Sequence, residues 1–157
     1  MIGCNYSRRQ ASEMSDCVFD TSFVATANGS LTGEKKGNLL NRRLTAIRKV
    51  VDRENRVRYN PKLLTEYMTV VKKRRNDVVD QFFELLDSDR AVRLKTNTLR
   101  HADKTKANDC RWPTHDQHVL AAAIGGTEVS IHVTENALGA CAAAIKRVFG
   151  FKVNHVA

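Results

Sequence analysis

The chain has little of what marks disordered, secreted or membrane-spanning proteins. Its 157 residues include 2 prolines and 8 glycines, and 6% of them are aromatic. Proline and glycine interrupt helices and strands. Because these residues are few and no segment has low complexity, the composition argues against a disordered chain. No apolar run approaches the roughly 20 residues needed to cross a bilayer. Residues 1–16 lack the apolar segment of a secretory signal, so we expect a cytoplasmic protein without a membrane anchor.

Cysteine is also scarce, and its four copies form no CxxC pair. In a reducing compartment we expect free thiols, with Cys17 and Cys141 packed inside. A zinc site built from such scattered cysteines is the less favoured alternative. The apolar content of 42% is enough for one domain with a core of its own. We therefore expect a single domain at 16–157, preceded by a flexible extension at 1–15.

Positive charge is abundant and unevenly placed. The formal net charge is +9, and residues 1–76 contain 16 Lys and Arg against 7 Asp and Glu. Residues 77–157 contain 10 of each sign. A basic half favours a polyanionic partner, either nucleic acid or an acidic protein segment. A solvated surface that only keeps the protein soluble is the alternative.

Predicted strands and helices alternate along the chain. Strands are predicted from 17 to the Asp20 that closes the first one, and at 91–94, 129–134 and 151–156. Helices are predicted at 38–54, from Pro61 to the basic run at 72–75, and at 76–86, 113–123 and 137–147. The segment at 28–37 is interpreted as a loop, 56–59 as a short link, and 96–112 as a loop with some helical turns. This alternation predicts an α/β fold, a three-layer α/β/α sandwich with a mainly parallel sheet.

Apolar spacing assigns a buried face to the predicted helices. In the second helix this face contains Leu64, Tyr67, Met68 and Val71, and in the third Val79, Phe82, Phe83 and Leu86. We also expect Tyr59 and Trp112 to pack in the core or anchor a loop. His115 and His118 are interpreted as solvent-facing residues, with metal or phosphate contact as the alternative.

Asp20 and Asp116 are both expected near the edge of the parallel sheet at which ligands bind. Asp20 closes the first strand, and ligands bind outside the carboxyl ends of such strands. A turn or cap carboxylate is the ordinary alternative. Asp116 lies in a first helical turn, where the helix dipole alone stabilises a carboxylate by roughly 0.3–1 kcal/mol. However, Val119 and Ala123 follow at helical spacing, which turns Asp116 toward the buried face, where it needs a partner.

Further polar candidates lie on the second helix and after the fourth predicted strand. Glu66 borders the apolar face of its helix, although a surface pair with Lys62 or Lys73 would also account for it. The segment Thr134–Asn136 closes a predicted strand and leads into the next helix. An ordinary turn explains each of these residues separately. It does not explain why all the acids should gather near one sheet edge.

Four motifs carry a resemblance to a known family. They are Val18-Phe19-Asp20-Thr21-Ser22, Asn60-Pro61-Lys62-Leu63-Leu64-Thr65-Glu66-Tyr67, His115-Asp116-Gln117-His118-Val119-Leu120-Ala121-Ala122-Ala123 and Val133-Thr134-Glu135-Asn136. In this order they resemble the motifs of PIN domains, over residues 16–156. The resemblance implies a PIN-like α/β/α fold and a Mg²⁺- or Mn²⁺-dependent endoribonuclease, a hydrolase of RNA phosphodiester bonds. Members of this family include the toxins of VapBC-type toxin–antitoxin pairs, so the resemblance implies an antitoxin protein as a partner. It also implies a homodimer.

The resemblance also implies roles for individual residues. Asp20, Glu66 and Asp116 would be the catalytic, metal-binding acids, and Glu135 a weaker metal ligand. Supporting roles would fall to Thr21, Ser22, Thr134 and Asn136. RNA would be held by basic residues, for which we expect Arg42, Arg43, Lys49, Arg53, Lys72 and Lys73. Phe82 and Phe83, or the basic helix at 38–54, would supply the dimer surface.

The fourth motif departs from the family pattern. Many PIN domains have an aspartate at the position of Asn136, and others have one three residues on, where this chain has Gly139. Glu135 lies beside that position, but neighbouring side chains in a strand-like segment point in opposite directions. Activity with one metal, activity completed by substrate, and a catalytically degenerate domain that binds RNA or a protein all remain open. A DNA-binding regulator using the helix at 38–54 is a further alternative.

Overall fold

A five-stranded parallel sheet forms the centre of the protein. The computed structural model describes residues 14–29 and 34–156. The strands are β1 (Ser15–Phe19), β2 (Asn55–Tyr59), β3 (Val92–Arg93), β4 (Ser130–Val133) and β5 (Lys152–His155). Their order is β3-β2-β1-β4-β5, and all neighbours are parallel. Most of the predicted extension, residues 1–13, lies outside the described residues, but Ser15 already belongs to β1.

Helices pack on both faces of this sheet. They are α1 (Thr21–Ala27), α2 (Glu34–Val51), α3 (Pro61–Val70), α4 (Asp77–Leu86), α5 (His101–Asp109), α6 (Gln117–Ala123), α7 (Asn136–Gly139) and α8 (Ala142–Phe149). A 3₁₀ turn at Thr114–Asp116 leads into α6. Helix α2 packs on α4, α6 on β1 and β2, and α8 on β5. The predicted three-layer α/β/α architecture with a parallel sheet is therefore confirmed.

The core is built around β1, the central strand. Cys17, Val18 and Phe19 are completely buried, because both faces of a central parallel strand are covered by helices. The predicted burial of Cys17 and Cys141 is confirmed. Tyr59 and Trp112 are also core residues, as expected.

Strand β2 is one of the elements that the sequence interpretation missed. The segment 56–59 was expected to be a link, because two arginines interrupt its apolar residues. In the structure both arginines face Asp16 on β1, with Arg56 Nε 3.0 Å and Arg58 Nη1 3.7 Å from its carboxylate. Arg58 also donates to two backbone carbonyls at the end of α6, at 2.8 and 2.7 Å. These partners compensate the burial of charge within a strand.

Two helix predictions differ in their bounds. Helix α2 spans Glu34–Val51 instead of 38–54, and Arg53 follows it with a φ of 65°. Gly37 lies inside α2, although a glycine within a helix costs about 1 kcal/mol relative to alanine. Helix α5 occupies His101–Asp109, within the segment that was expected to be a loop with some helical turns. Its mean hydropathy is low and no apolar period marks it, which is why pattern alone did not identify it.

The buried faces of α3 and α4 bear on the expected dimer surface. Met68 was expected in the core, but it is 56% exposed, because Leu63 and Tyr67 are the residues of α3 that turn inward. Phe82 and Phe83 are buried in the core, as their spacing predicts. The suggestion that these two phenylalanines form a dimer surface is therefore wrong, since they are not available to a second chain.

Candidate active site

The strand order predicts a crevice at the carboxyl ends of β1 and β4. Connections from β1 run outward through β2 to β3, whereas β4 and β5 lie on the other side of β1. Ligands of open parallel sheets bind outside the strand ends at such a switch in direction. Asp20 directly follows β1, and Thr134 and Glu135 directly follow β4. The topology thus brings residues that are far apart in sequence to the two sides of one crevice.

A hydroxyl pair connects the two sides of this crevice. Asp20 is 3% exposed, and Ser22 Oγ donates a hydrogen bond of 2.7 Å to its Oδ2. The same Ser22 Oγ lies 2.7 Å from Thr134 Oγ1. The hydroxyl of Thr21 has no hydrogen-bond partner among the described residues. Ser22 therefore holds the Asp20 carboxylate in place and joins the ends of β1 and β4.

Asp116 enters the crevice from the turn before α6. It is 7% exposed, and Trp112 Nε1 fixes its backbone by donating to Asp116 O at 2.8 Å. Its Oδ2 is buried and accepts no hydrogen bond within the described part of the chain. His115 Nε2 lies 3.2 Å from that oxygen, but without hydrogen-bond alignment. A buried carboxylate oxygen in this condition is open to a cation or a proton.

Glu66 reaches the same region from α3. Its side chain is 35% exposed, and its Oε1 contacts Nε2 of His118. Asn60, completely buried at the start of α3, accepts from Leu63 N and donates to His118 O at 2.9 Å. Asn60 is therefore a helix cap, as predicted, and it also fixes α3 against α6. This double contact sets the distance between Glu66 and His118.

The negative charges in the crevice act on one another. The pKa of Asp116 is raised to about 6, first by burial and then by the charge of Asp20, with smaller contributions from Glu135 and Glu66. Burial also raises the pKa of Asp20, against the hydrogen bond from Ser22 that lowers it. Burial and like charge are the two effects that make a carboxylate difficult to ionise. A cluster of such groups is typical of a functional site.

The fourth motif lies at the rim of the crevice. Glu135 and Asn136 are both exposed, and Asn136 is the first residue of α7. At Gly139, an added Cβ would lie 2.4 Å from Nδ1 of His155. A larger side chain therefore does not fit there unless the imidazole of His155 moves. The carboxylate of Glu135 is exposed, unlike the buried carboxylates of Asp20 and Asp116.

The acids do not form a closed metal-binding triad. Across residues 14–29 and 34–156, no three His, Cys, Asp or Glu side chains lie close enough together to hold one ion. Glu66 faces His118, and Asp116 faces His115. Carboxylate oxygens are the ligands that Mg²⁺ and Mn²⁺ prefer, and the unpartnered Oδ2 of Asp116 is such a donor. The chemistry of these donors fits a hard divalent cation, although their side chains are not yet converged around one.

Not all of the predicted RNA-binding residues lie near the crevice. Arg42 and Lys49 are exposed on α2 and Arg43 is half-buried there. Arg53 lies beside Met14 and Asn55, at the amino ends of β1 and β2. A strand of five residues spans about 17 Å, so Arg53 is at the opposite edge of the sheet from the acids. Whether Arg53 holds the RNA backbone stays a prediction, but any such contact would lie away from the acids.

Lys72 and Lys73 have a more favourable position. They line a groove that includes Asn28 and Arg75, at the far ends of α1 and α3. Asn28 closes this groove by donating to Lys73 O and accepting from Arg75 N, both at 2.7 Å. Helix α1 begins beside Asp20, and its seven residues span about 10 Å. The length of α1 therefore separates the basic groove from the crevice, a distance that an RNA strand of a few nucleotides can span.

His118 is the site residue that sequence interpretation placed wrongly. It was expected to face solvent, but it is 3% exposed. Every residue of α6 after Gln117 is buried, because the helix packs on the sheet and on α3. The apolar segment Val119–Ala123 was the available signal, since a helix that is apolar all round is normally buried. His115, by contrast, is exposed as expected.

Comparisons with known proteins identified no relative of this chain. A scan against family models, a search of characterised proteins and a search of solved structures found no significant match to the chain. Within the described residues, none of the helices combines the length and the apolar character that crossing a membrane requires.

Proposed function

We propose that this protein is a divalent-metal-dependent endoribonuclease, a PIN-like hydrolase that acts in the cytoplasm with Mg²⁺ or Mn²⁺. The observation that carries the proposal is the meeting of Asp20 and Asp116, both buried, at the carboxyl end of the central strand. Each has a raised pKa, and the charge of Asp20 contributes to the shift of Asp116. Placing two like charges in one crevice destabilises a fold unless a cation or proton occupies it.

Asp20, Glu66 and Asp116 are the residues that would hold the metal. When bound, the ion would activate a water and neutralise charge on the scissile phosphate. Other side chains of the protein would position these metal-binding residues. Ser22 keeps the Asp20 carboxylate oriented through its 2.7 Å hydrogen bond. Asn60 holds the helix that presents Glu66 against α6.

The basic groove at Lys72, Lys73 and Arg75 supports a nucleic-acid substrate. These exposed side chains have no salt-bridge partner among the described residues. They would hold phosphates that the carboxylates otherwise repel. RNA rather than DNA is the substrate that the resemblance to PIN domains implies. The same resemblance supports a toxin neutralised by an antitoxin protein, and a homodimer for which the basic helix α2 is the remaining candidate surface.

The test is cleavage of a mixed RNA substrate with Mn²⁺ and with EDTA. Wild type is compared with Asp20→Asn and Asp116→Asn, and with Asp52→Asn as a matched control at an exposed acid. All four proteins are purified identically, and their folding is checked by circular dichroism. We expect cleavage by wild type and the control, and at least about a 100-fold loss in both site variants, because a missing ligand removes the metal. Equal, EDTA-insensitive cleavage by all four proteins would mean a contaminating nuclease.

A non-catalytic PIN-like domain that binds RNA or a protein is the second candidate. It is favoured by the exposed Asn136 and by the absence of a converged triad in the described part of the chain. Under this alternative, RNA binding measured by fluorescence anisotropy persists in EDTA and in Asp20→Asn. Loss of binding in Lys72→Ala/Lys73→Ala, with no cleavage by any protein, would favour it over the nuclease.

A further inference from the structure

His118 is buried at the centre of the acidic crevice. It is 3% exposed and lies two residues after Asp116. Its Nε2 contacts Oε1 of Glu66, and the negative charge of the Asp20 carboxylate acts on the ring. One imidazole therefore contacts the carboxylate of Glu66 on α3 and is influenced by that of Asp20 at the end of β1.

The polar atoms of this ring are poorly satisfied. The contact with Glu66 is its one polar side-chain contact among the described residues, and Nδ1 has no hydrogen-bond partner there. A buried ring nitrogen without a partner costs about 1–3 kcal/mol. An apolar residue would fill the same position in α6 without that cost, as Val119 and Leu120 do beside it. The imidazole is therefore difficult to explain by packing alone.

The crevice also lacks the carboxylate that the fourth motif would provide. Asn136 is exposed, and the imidazole of His155 occupies the space beside Gly139. His118 is buried and contacts Glu66, and its imidazole is a side chain of a type that can bind a metal. Neutral imidazole nitrogen is a common ligand of first-row transition metals, whereas Mg²⁺ is bound almost entirely by oxygen.

We propose that His118 is a nitrogen ligand of the metal and that it makes the site selective for Mn²⁺, or a similar transition metal, over Mg²⁺. This inference rests on the proposed metal-dependent function. Glu66 and His118 would be neighbouring ligands, held together by the contact of Asn60 with both helices. A histidine that only orients Glu66 would affect the affinities for Mg²⁺ and Mn²⁺ equally. A ligand would affect Mn²⁺ more.

The experiment is pulsed electron paramagnetic resonance of the full chain loaded with Mn²⁺. Nitrogen bound to Mn²⁺ modulates the electron spin echo, and labelling histidine with ¹⁵N identifies imidazole without any variant. We expect ¹⁴N modulation in wild type, replaced by ¹⁵N modulation after labelling. His118→Gln should lose it while still binding Mn²⁺, and His118→Asn serves if the glutamine variant does not fold. His115→Gln, at a histidine whose side chain is 80% exposed, is the matched control and should retain it.

A competition titration gives an independent readout. The ratio of Mg²⁺ to Mn²⁺ dissociation constants should fall at least about 10-fold in His118→Gln and stay unchanged in His115→Gln. Bound Mn²⁺ without nitrogen modulation in wild type would overturn the inference and leave the nuclease proposal intact. Modulation that depends on His115 instead of His118 would also overturn it. A wild-type protein that binds no Mn²⁺ at millimolar concentration would remove both.

Discussion

Replacing Asp116 by asparagine is expected to stabilise the metal-free protein at neutral pH. Asp116 is 7% exposed, its Oδ2 has no hydrogen-bond partner among the described residues, and Asp20 is near. Asparagine has almost the same shape and no charge. The substitution therefore removes the repulsion and most of the cost of burying an ion, while it leaves the packing unchanged.

The magnitude follows from the shifted pKa. A rise from 3.8 to about 6 is roughly two pKa units, which correspond to about 3 kcal/mol. The folded state binds this proton more tightly than the unfolded chain does. The stability contributed by the proton is therefore complete below about pH 4 and is lost as the pH rises through about 6. Above that pH the ionised Asp116 destabilises the fold by the whole amount, and unmet hydrogen bonds of the amide reduce the expected gain to about 1–3 kcal/mol.

Urea unfolding in EDTA at pH 4, 5, 6, 7 and 8 measures this effect. The quantity of interest is the difference in free energy of unfolding between Asp116→Asn and wild type, with Asp52→Asn as an exposed control. We expect that difference to rise by about 2–3 kcal/mol between pH 4 and pH 8, and to stay flat in the control. A difference for Asp116→Asn that does not change with pH would refute the reasoning, because the carboxylate would then titrate alike in both states.

Metal should reverse the order of stability. An ion at 100 times its dissociation constant stabilises the folded state by about 2.7 kcal/mol. With Mn²⁺ in place of EDTA at pH 8, wild type should gain this amount and Asp116→Asn should gain much less. An equal gain in both proteins would show that Mn²⁺ binds somewhere other than beside Asp116.

Two further predictions concern parts of the fold that surround the site. Gly139→Ala should destabilise the protein by about 1–3 kcal/mol in thermal or urea unfolding, because its Cβ would meet the ring of His155 at 2.4 Å; unchanged stability would mean that the ring moves freely. Arg58→Met should cost about 3–5 kcal/mol, because it removes a buried partner of Asp16, whereas Arg56→Met, at a side chain that is 35% exposed, should cost clearly less. Equal losses in the two arginine variants would contradict this account of β2.

Several elements could be predicted because their signals are local. The apolar segment before Asp20 predicted β1, and Asn60 before a proline predicted the start of α3, where Asn60 accepts from Leu63 N as a cap. Such signals depend on a few adjacent residues, so the remainder of the fold does not alter them. The acidic motifs also singled out Asp20 and Asp116, which are both buried and whose charges act on one another in the structure.

Other features have no local signal. Strand β2 contains Arg56 and Arg58, and only the position of Asp16 on the neighbouring strand makes burial of these charges acceptable. The exposure of Met68 depends on which residues of α3 meet the sheet. Periodicity defines an apolar face to within about one residue, so a shift of one position exposes a residue that was expected inside.

The sequence by itself determined the fold class, most of the strands and helices and the acids that stand at strand and helix ends, because apolar period and capping residues act over a few positions. Only the tertiary structure decided that β1 and β4 are neighbours, which brings Ser22 and Thr134 together. It also decided that His118 is enclosed beside Glu66. Strand order and helix packing depend on the free energy of contacts between residues far apart in the chain. The local pattern of a single segment therefore does not predict them.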